Sequence, residues 1–213
     1  TVYVAPFHPN GKPLHVKGFL DKFQKVAEKN TKWLIHVARS GIPMVGLDPS
    51  VVLTYRDEYL KTLEENELPF EVLLPQELLV KSPEKFSEFA VSANSNLPKY
   101  QLLGHCTEKT QVQLSQEQWQ EVFKVFGLSL QLIPVGCCGM AGTYGHETEH
   151  FEESRGIYNL SWKNKIPADQ FLRQNILATG FSCRSQVKRF EGFRPLHPLQ
   201  ALLREIIWEN KLQ

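Results

Sequence analysis

The run Gly136-Cys137-Cys138-Gly139-Met140-Ala141-Gly142-Thr143-Tyr144-Gly145 puts glycine at every third position directly after the apolar stretch Leu128 to Val135. Adjacent cysteines on a regular strand would face opposite sides of a sheet, because successive side chains alternate. On a turn they converge. The glycines predict such a turn at the carboxyl end of a strand, the edge of an open α/β sheet where ligands sit. There the backbone can approach a bulky group and aim its N–H groups at negative charge.

Short apolar runs bounded by Gly or Pro, each leading into a segment of helical periodicity, predict an α/β fold with parallel sheets flanked by helices. Strands are expected over Val2 to Ala5, Pro43 to Leu47, Tyr100 to Gly104, Leu128 to Val135 and Ile176 to Gly180. Helices are expected over Gly18 to Arg39, Ser50 to Leu63, Ser115 to Phe126, Glu147 to Trp162 and Pro198 to Glu209. Pro69, Pro75, Pro83 and Pro98 punctuate the stretch from Leu63 to Pro98, which reads as a linker or excursion between two halves. The expected division is 1–62, 63–98 and 99–213. The halves resemble each other weakly: 44 residues separate Phe7 from Val51, and 45 separate Cys138 from Cys183. An internal duplication follows, in which only the second copy keeps cysteines.

Cys106 and Cys183 each follow an expected strand, as the Cys137-Cys138 pair does. Three parallel strands would deliver four thiols to one edge of the sheet. Ser182 is placed to cap a helix over Cys183, and a helix N-terminus favours the thiolate, the form that binds metal or attacks. Thiolate sets select zinc or iron–sulfur clusters. The bland alternative is four small buried side chains. Four cysteines in 213 residues are too few for a disulfide scaffold.

Composition narrows the function classes. With 24 Lys+Arg against 23 Asp+Glu, a net charge of +1 and no basic block, no nucleic-acid surface is expected. Apolar runs fall short of the roughly 18 residues that span a membrane, and no secretory leader is visible. The chain opens on Thr1, with an expected strand at once, and is expected to be a piece of a longer one. No G-x-G-x-x-G or P-loop motif occurs, so any dinucleotide would bind elsewhere.

Two other motifs compete. His146-Glu147-Thr148-Glu149-His150 matches H-E-x-x-H, which on a helix makes a zinc protease site. Its polar interior residues, its place beside the glycine run and the lack of a third ligand argue for first-turn acids instead, with His146 and His150 as outer hydrogen-bond donors or solvated side chains. His105 beside Cys106 suits an outer donor or alternative ligand better than the base of a cysteine hydrolase, which would leave three thiols unexplained. Asp48, Arg56, Asp57 and Glu58 read as a capping acid with solvated helix charges, or as a docking surface.

Cys106, Cys137-Cys138-Gly139 and Ser182-Cys183 together resemble the cysteine-rich CCG domain of heterodisulfide reductases and of the iron–sulfur subunits of glycolate oxidases. Gly136 to Gly145, Gly180-Phe-Ser-Cys-Arg184 and Val45-Gly-Leu-Asp-Pro-Ser50 are similar to the C-terminal region of large FAD-linked oxidases. That resemblance implies two CCG-like repeats, the first partial and cysteine-free. It implies a D-2-hydroxy-acid dehydrogenase, D-2-hydroxyglutarate favoured, in which hydride goes to FAD on another part of the chain and electrons pass onward through iron–sulfur centres.

By position the ligands would be Cys106, Cys137, Cys138 and Cys183, holding a [4Fe-4S] cluster or zinc. Outer partners would be His105, His146, Gln186 and the backbone of Gly136, Gly139 and Gly142. The family's closing cysteine pair appears here as Cys183 and Gln186, while Phe7 and Val51 stand near the first repeat's cysteine positions. The implied partners are flavin and ferredoxin-like domains of the same chain and an electron acceptor. The implied location is the cytoplasm, with a peripheral position at the inner membrane face as the alternative. The alternative is a structural zinc or metal-free scaffold with no redox role.

Overall fold

The computed structural model describes residues 1–91 and 97–212, so five residues of the 63–98 stretch lie outside the described residues. Parallel strands in open sheets flanked by helices bear out the expected fold class.

The expected strand over Val2 to Ala5 does not form. Val2, Tyr3 and Val4 are 90, 73 and 93% exposed, and no described strand pairs with them. An apolar run without a ladder partner gains nothing from extension. Helix α1 (Lys12–Val16) follows, then α2 (Leu20–Ala38), which buries Phe23, Ala27, Asn30 and Leu34 along one stripe. Strand β1 is only Met44–Val45, and Asp48 starts α3 (Pro49–Arg56) by accepting the Ser50 N–H at 2.9 Å.

The helix expected from Ser50 to Leu63 breaks at Asp57 (φ −123°, ψ −68°) into α3 and α4 (Glu58–Leu63). Beside the break the Arg56 guanidinium turns away to the Val72 carbonyl and the Glu77 carboxylate. Strand β2 (Val72–Leu73) pairs in parallel with β1 and leads into α5 (Pro75–Val80). Residues 63–91 therefore contribute a strand to the first sheet. Tyr59 closes this unit's core, accepting from Asn30 Nδ2 at 3.0 Å and donating to the Asn10 carbonyl at 2.9 Å.

The second unit runs β3 (Lys99–Leu103), α6 (Cys106–Gln111), α7 (Ser115–Val125), β4 (Ser129–Ile133), α8 (Phe151–Ser161), α9 (Gln170–Arg173), β5 (Ile176–Ala178), α10 (Phe181–Glu191) and α11 (Pro198–Leu212). The sheet order is β4-β3-β5, all parallel, with Leu103 opposite both Ile133 and Ala178. Both faces of the sheet are covered, as a parallel sheet requires. Tyr100, Leu102 and Leu177 pack with Trp119 and Phe123 of α7 and Ala201 and Leu202 of α11. Leu103, Ile176 and Ala178 face the other way, onto Tyr158 of α8 and Val187 of α10.

The helix expected from Glu147 starts at Phe151; Glu147 is extended (φ −73°, ψ 135°), and its carboxylate pairs with Lys17 of the first unit. Elsewhere Gln76 of α5 donates to Ser115 Oγ at 2.6 Å and to Glu108 at 3.1 Å, joining the units through buried polar groups. No described helix is long and apolar enough to cross a membrane.

Phe123→Ala should cost about 3–5 kcal/mol and Leu160→Ala, on an exposed helix face, less than about 0.5 kcal/mol, both read from urea unfolding midpoints. A pH effect also follows from His197, whose Nδ1 accepts the Leu199 N–H at 3.2 Å and whose ring meets the edge of Trp119. Burial pushes its pKa down to about 4, helped by the Arg184 charge. Between the unfolded value of about 6.5 and this value the unfolded chain binds the extra proton, so stability falls as pH drops. The wild type should lose up to about 3 kcal/mol more than His197→Asn across that window, as measured by urea titration at each pH.

Candidate metal centre

The in-register ends of β3, β4 and β5 send their next residues over one edge of the sheet. From β3 the chain passes Gly104 and His105 to Cys106, the first residue of α6. From β4 it enters the glycine run, and from β5 it passes Thr179 and Gly180 to α10, where Cys183 is the third residue. Thiol contacts join Cys106 to Cys137, Cys137 to Cys138, and Cys138 to Cys183. The four side chains are therefore neighbours pair by pair, no three thiols form one tight group, and no disulfide joins them. Cys138 and Cys183 form the interior end, at 3 and 1% exposure, while Cys106 and Cys137 are half-buried.

Local backbone geometry supplies donors to the sulfurs. The Gly139 N–H reaches Cys137 Sγ at 3.3 Å, and the Met140 N–H bonds Cys138. Both use a residue two positions on, which requires a tight turn. Gly139 (φ +84°), Ala141 (φ 40°) and Gly142 (φ +70°) provide it in the left-handed region. The remaining polar groups of the loop are tied to helices. Ser161 accepts the Gly136 N–H at 2.9 Å, Trp162 Nε1 donates to the Gly136 carbonyl at 3.1 Å, and Ser154 Oγ donates to the Gly139 carbonyl at 2.8 Å. Arg189 of α10 donates to the Gly145 carbonyl.

Thiol proximity and burial shift the titration of the cysteines. The contact with Cys137, then burial, pushes the Cys106 thiol far up. At Cys138 the contact with Cys137 pulls down, but Cys183 and burial outweigh it and the thiol is raised. Like thiolates crowded in a poorly solvated site cannot all ionise without a cation. His105 is buried with Nδ1 unpartnered, and burial lowers its pKa so that the ring is neutral. Glu108, in the first turn of the helix that Cys106 opens, is raised by burial and receives Ser115, Thr179 and Gln76.

Other expected residues take different places. Gln186 is fully buried, and its Nε2 bridges the Cys138 carbonyl (2.9 Å) and Ser154 Oγ (2.7 Å). It props the loop rather than facing a ligand with its amide hydrogens. Gly142 lies against Val16 of α1, and His146 is exposed on a single turn. H-E-x-x-H is not helical: it spans two separate turns, Tyr144–His146 and Thr148–His150, and His150 stacks on Tyr144 at 3.9 Å.

Ligand atoms of Glu147, Glu149 and His150 lie within 4.8 Å of one another, but Lys17 already neutralises Glu147. Phe7 and Val51 line an apolar cleft of about 360 Å³ with Pro9, Leu14 and Val26. Ser182 does not cap α10. Its N-cap is Gly180, and Asp48 of the first unit accepts the Phe181 N–H at 2.7 Å. Sequence reasoning missed the loop anchors Ser154, Ser161 and Trp162. Their spacing along one helix face, seven and eight residues from Ser154, was the signal.

A Cβ at Gly139 would stand 2.2 Å from the Ser154 carbonyl in an already left-handed backbone, whereas one at Gly156 of α8 meets nothing within 4 Å. Gly139→Ala should therefore destabilise by more than about 2 kcal/mol and Gly156→Ala stabilise by about 0.5–1 kcal/mol, a difference that thermal melting resolves.

No protein-family model matches the chain. It is 52% identical over 200 residues to D-2-hydroxyglutarate dehydrogenase of Pantoea ananatis, covering 94% of this chain and 19% of that protein. The Escherichia coli protein of the same name is 50% identical over 204 residues, covering 96% of this chain and again 19% of the relative. More distantly, one component of the anaerobic glycerol-3-phosphate dehydrogenase of Escherichia coli is 24% identical over 200 residues, covering 90% of this chain and 48% of that one. The chain spans about a fifth of the length of the D-2-hydroxyglutarate dehydrogenases it matches, and over almost all of its own length it is similar to that segment of them, as the cysteine and glycine pattern implied.

Proposed function

We propose that this chain is the electron-transferring segment of a flavin-dependent D-2-hydroxy-acid dehydrogenase, with D-2-hydroxyglutarate as substrate, and that Cys106, Cys137, Cys138 and Cys183 hold a [4Fe-4S] cluster. The observation that carries the reading is the chain of neighbouring thiols at one sheet edge, in a chain about half identical to a segment covering 19% of D-2-hydroxyglutarate dehydrogenase. The donor set fits a cluster. Four cysteines are its usual complement, and two of the sulfurs already accept backbone N–H groups.

Four thiolates also suit a single tetrahedral zinc ion; the likeness to a dehydrogenase, which must pass electrons on, is what favours the cluster. When bound, such a cluster takes up and passes on one electron at a time. The chain's own part is to hold it and tune it. Cys138 and Cys183 exclude water from the interior side, half-buried Cys106 and Cys137 form the approach for a redox partner, and the loop N–H groups stabilise anionic sulfur. FAD and the substrate would bind outside this chain, on flavin and ferredoxin-like domains of the full-length protein, in the cytoplasm or at the inner membrane face.

Anaerobically purified full-length protein should contain iron and acid-labile sulfide at the level of a four-iron cluster assigned to these cysteines, and should oxidise D-2-hydroxyglutarate with an artificial acceptor. Cys137→Ser should lower both the iron content and turnover by more than about tenfold, while the isolated 213 residues stay inert. Stoichiometric zinc without iron, with turnover unchanged in Cys137→Ser, would make the chain a scaffold instead.

A further inference from the structure

The helix that carries Cys183 has no cap of its own. Its N-cap position is Gly180, and a Cβ there would stand 2.3 Å from His105 Cδ2, so no side chain fits where a helix usually supplies its own acceptor. Ser182, two residues on, makes no cap bond. The acceptor comes from the first unit instead: Asp48 Oδ2 takes the Phe181 N–H at 2.7 Å, across 133 residues of sequence, while Oδ1 takes the Ser50 N–H at 2.9 Å. One carboxylate therefore caps α3 and α10 together.

We propose that Asp48 is a positioning residue of the thiol centre, through which the cysteine-free unit fixes the Cys183 helix and places a negative charge beside it. The inference rests on the metal-centre reading for its electrostatic part alone. A fixed anion two residues from a cysteine ligand opposes the field of the helix N-terminus and disfavours adding an electron to the centre. Asp48 thus holds the reduction potential down. The loss of cysteines from the first unit does not make that unit dispensable.

The test uses the full-length protein as wild type, Asp48→Ala, Asp48→Asn and Asp169→Asn, the last altering an equivalent cap at the distant helix α9, where Asp169 accepts the Phe171 N–H at 2.7 Å. Hydrogen exchange of the first turn of α10 should quicken by about tenfold or more in Asp48→Ala, the effect of losing one charge-assisted bond, and stay unchanged in Asp169→Asn. Redox titration should place the midpoint potential of the centre higher in Asp48→Asn than in wild type and Asp169→Asn.

Unchanged exchange in Asp48→Ala, or an unchanged potential in Asp48→Asn with metal bound, overturns the proposal. If Asp48→Ala does not fold, the Asp48→Asn potential decides. If the wild type holds no redox-active metal, the electron-transfer reading fails, and exchange alone decides whether Asp48 clamps the helix.

Discussion

Parallel pairing of β3 with both its neighbours is the constraint on which the site depends. Because Leu103 lies opposite both Ile133 and Ala178, the three strands leave the sheet at one level, and the three connections that follow carry the cysteines. A parallel strand must be reached by a crossover, so each connection starts at the same edge and cannot wander to the other. Covering both faces with helices holds this register. Tyr100 and Leu102 are locked on one side and Leu103 on the other, so a one-residue slip would exchange two buried sets.

The glycine loop depends in turn on α8 and α10. A loop folded back on buried thiols carries carbonyls that water cannot reach, and each such group needs a partner. Ser154, Trp162, Gln186 and Arg189 provide donors to Gly139, Gly136, Cys138 and Gly145. Gln186 braces the backbone that presents Cys138 and ties it to Ser154 of α8. The first unit places Phe7 and Val51 in an apolar cleft. It still contacts the second unit through Asp48, Lys17 and Gln76.

The sequence by itself determined the class of fold and the candidate ligands. Alternating apolar runs and helical periods required parallel strands under helices, and adjacent cysteines among glycines required a turn at a strand end, because both follow from side-chain period and backbone freedom. It did not show that Val2 to Ala5 lacks a partner among the described strands, that Ser50 to Leu63 breaks at Asp57, or that Glu147 lies outside the helix and pairs with Lys17. These outcomes rest on residues far apart in the chain, and local propensity carries no information about them. Tertiary structure alone decided which two cysteines are interior, which serines and tryptophan anchor the loop, and that the cap of the Cys183 helix comes from 133 residues away. Gly180 could not supply that cap once His105 filled its Cβ position, so packing between distant segments, rather than any motif, chose Asp48.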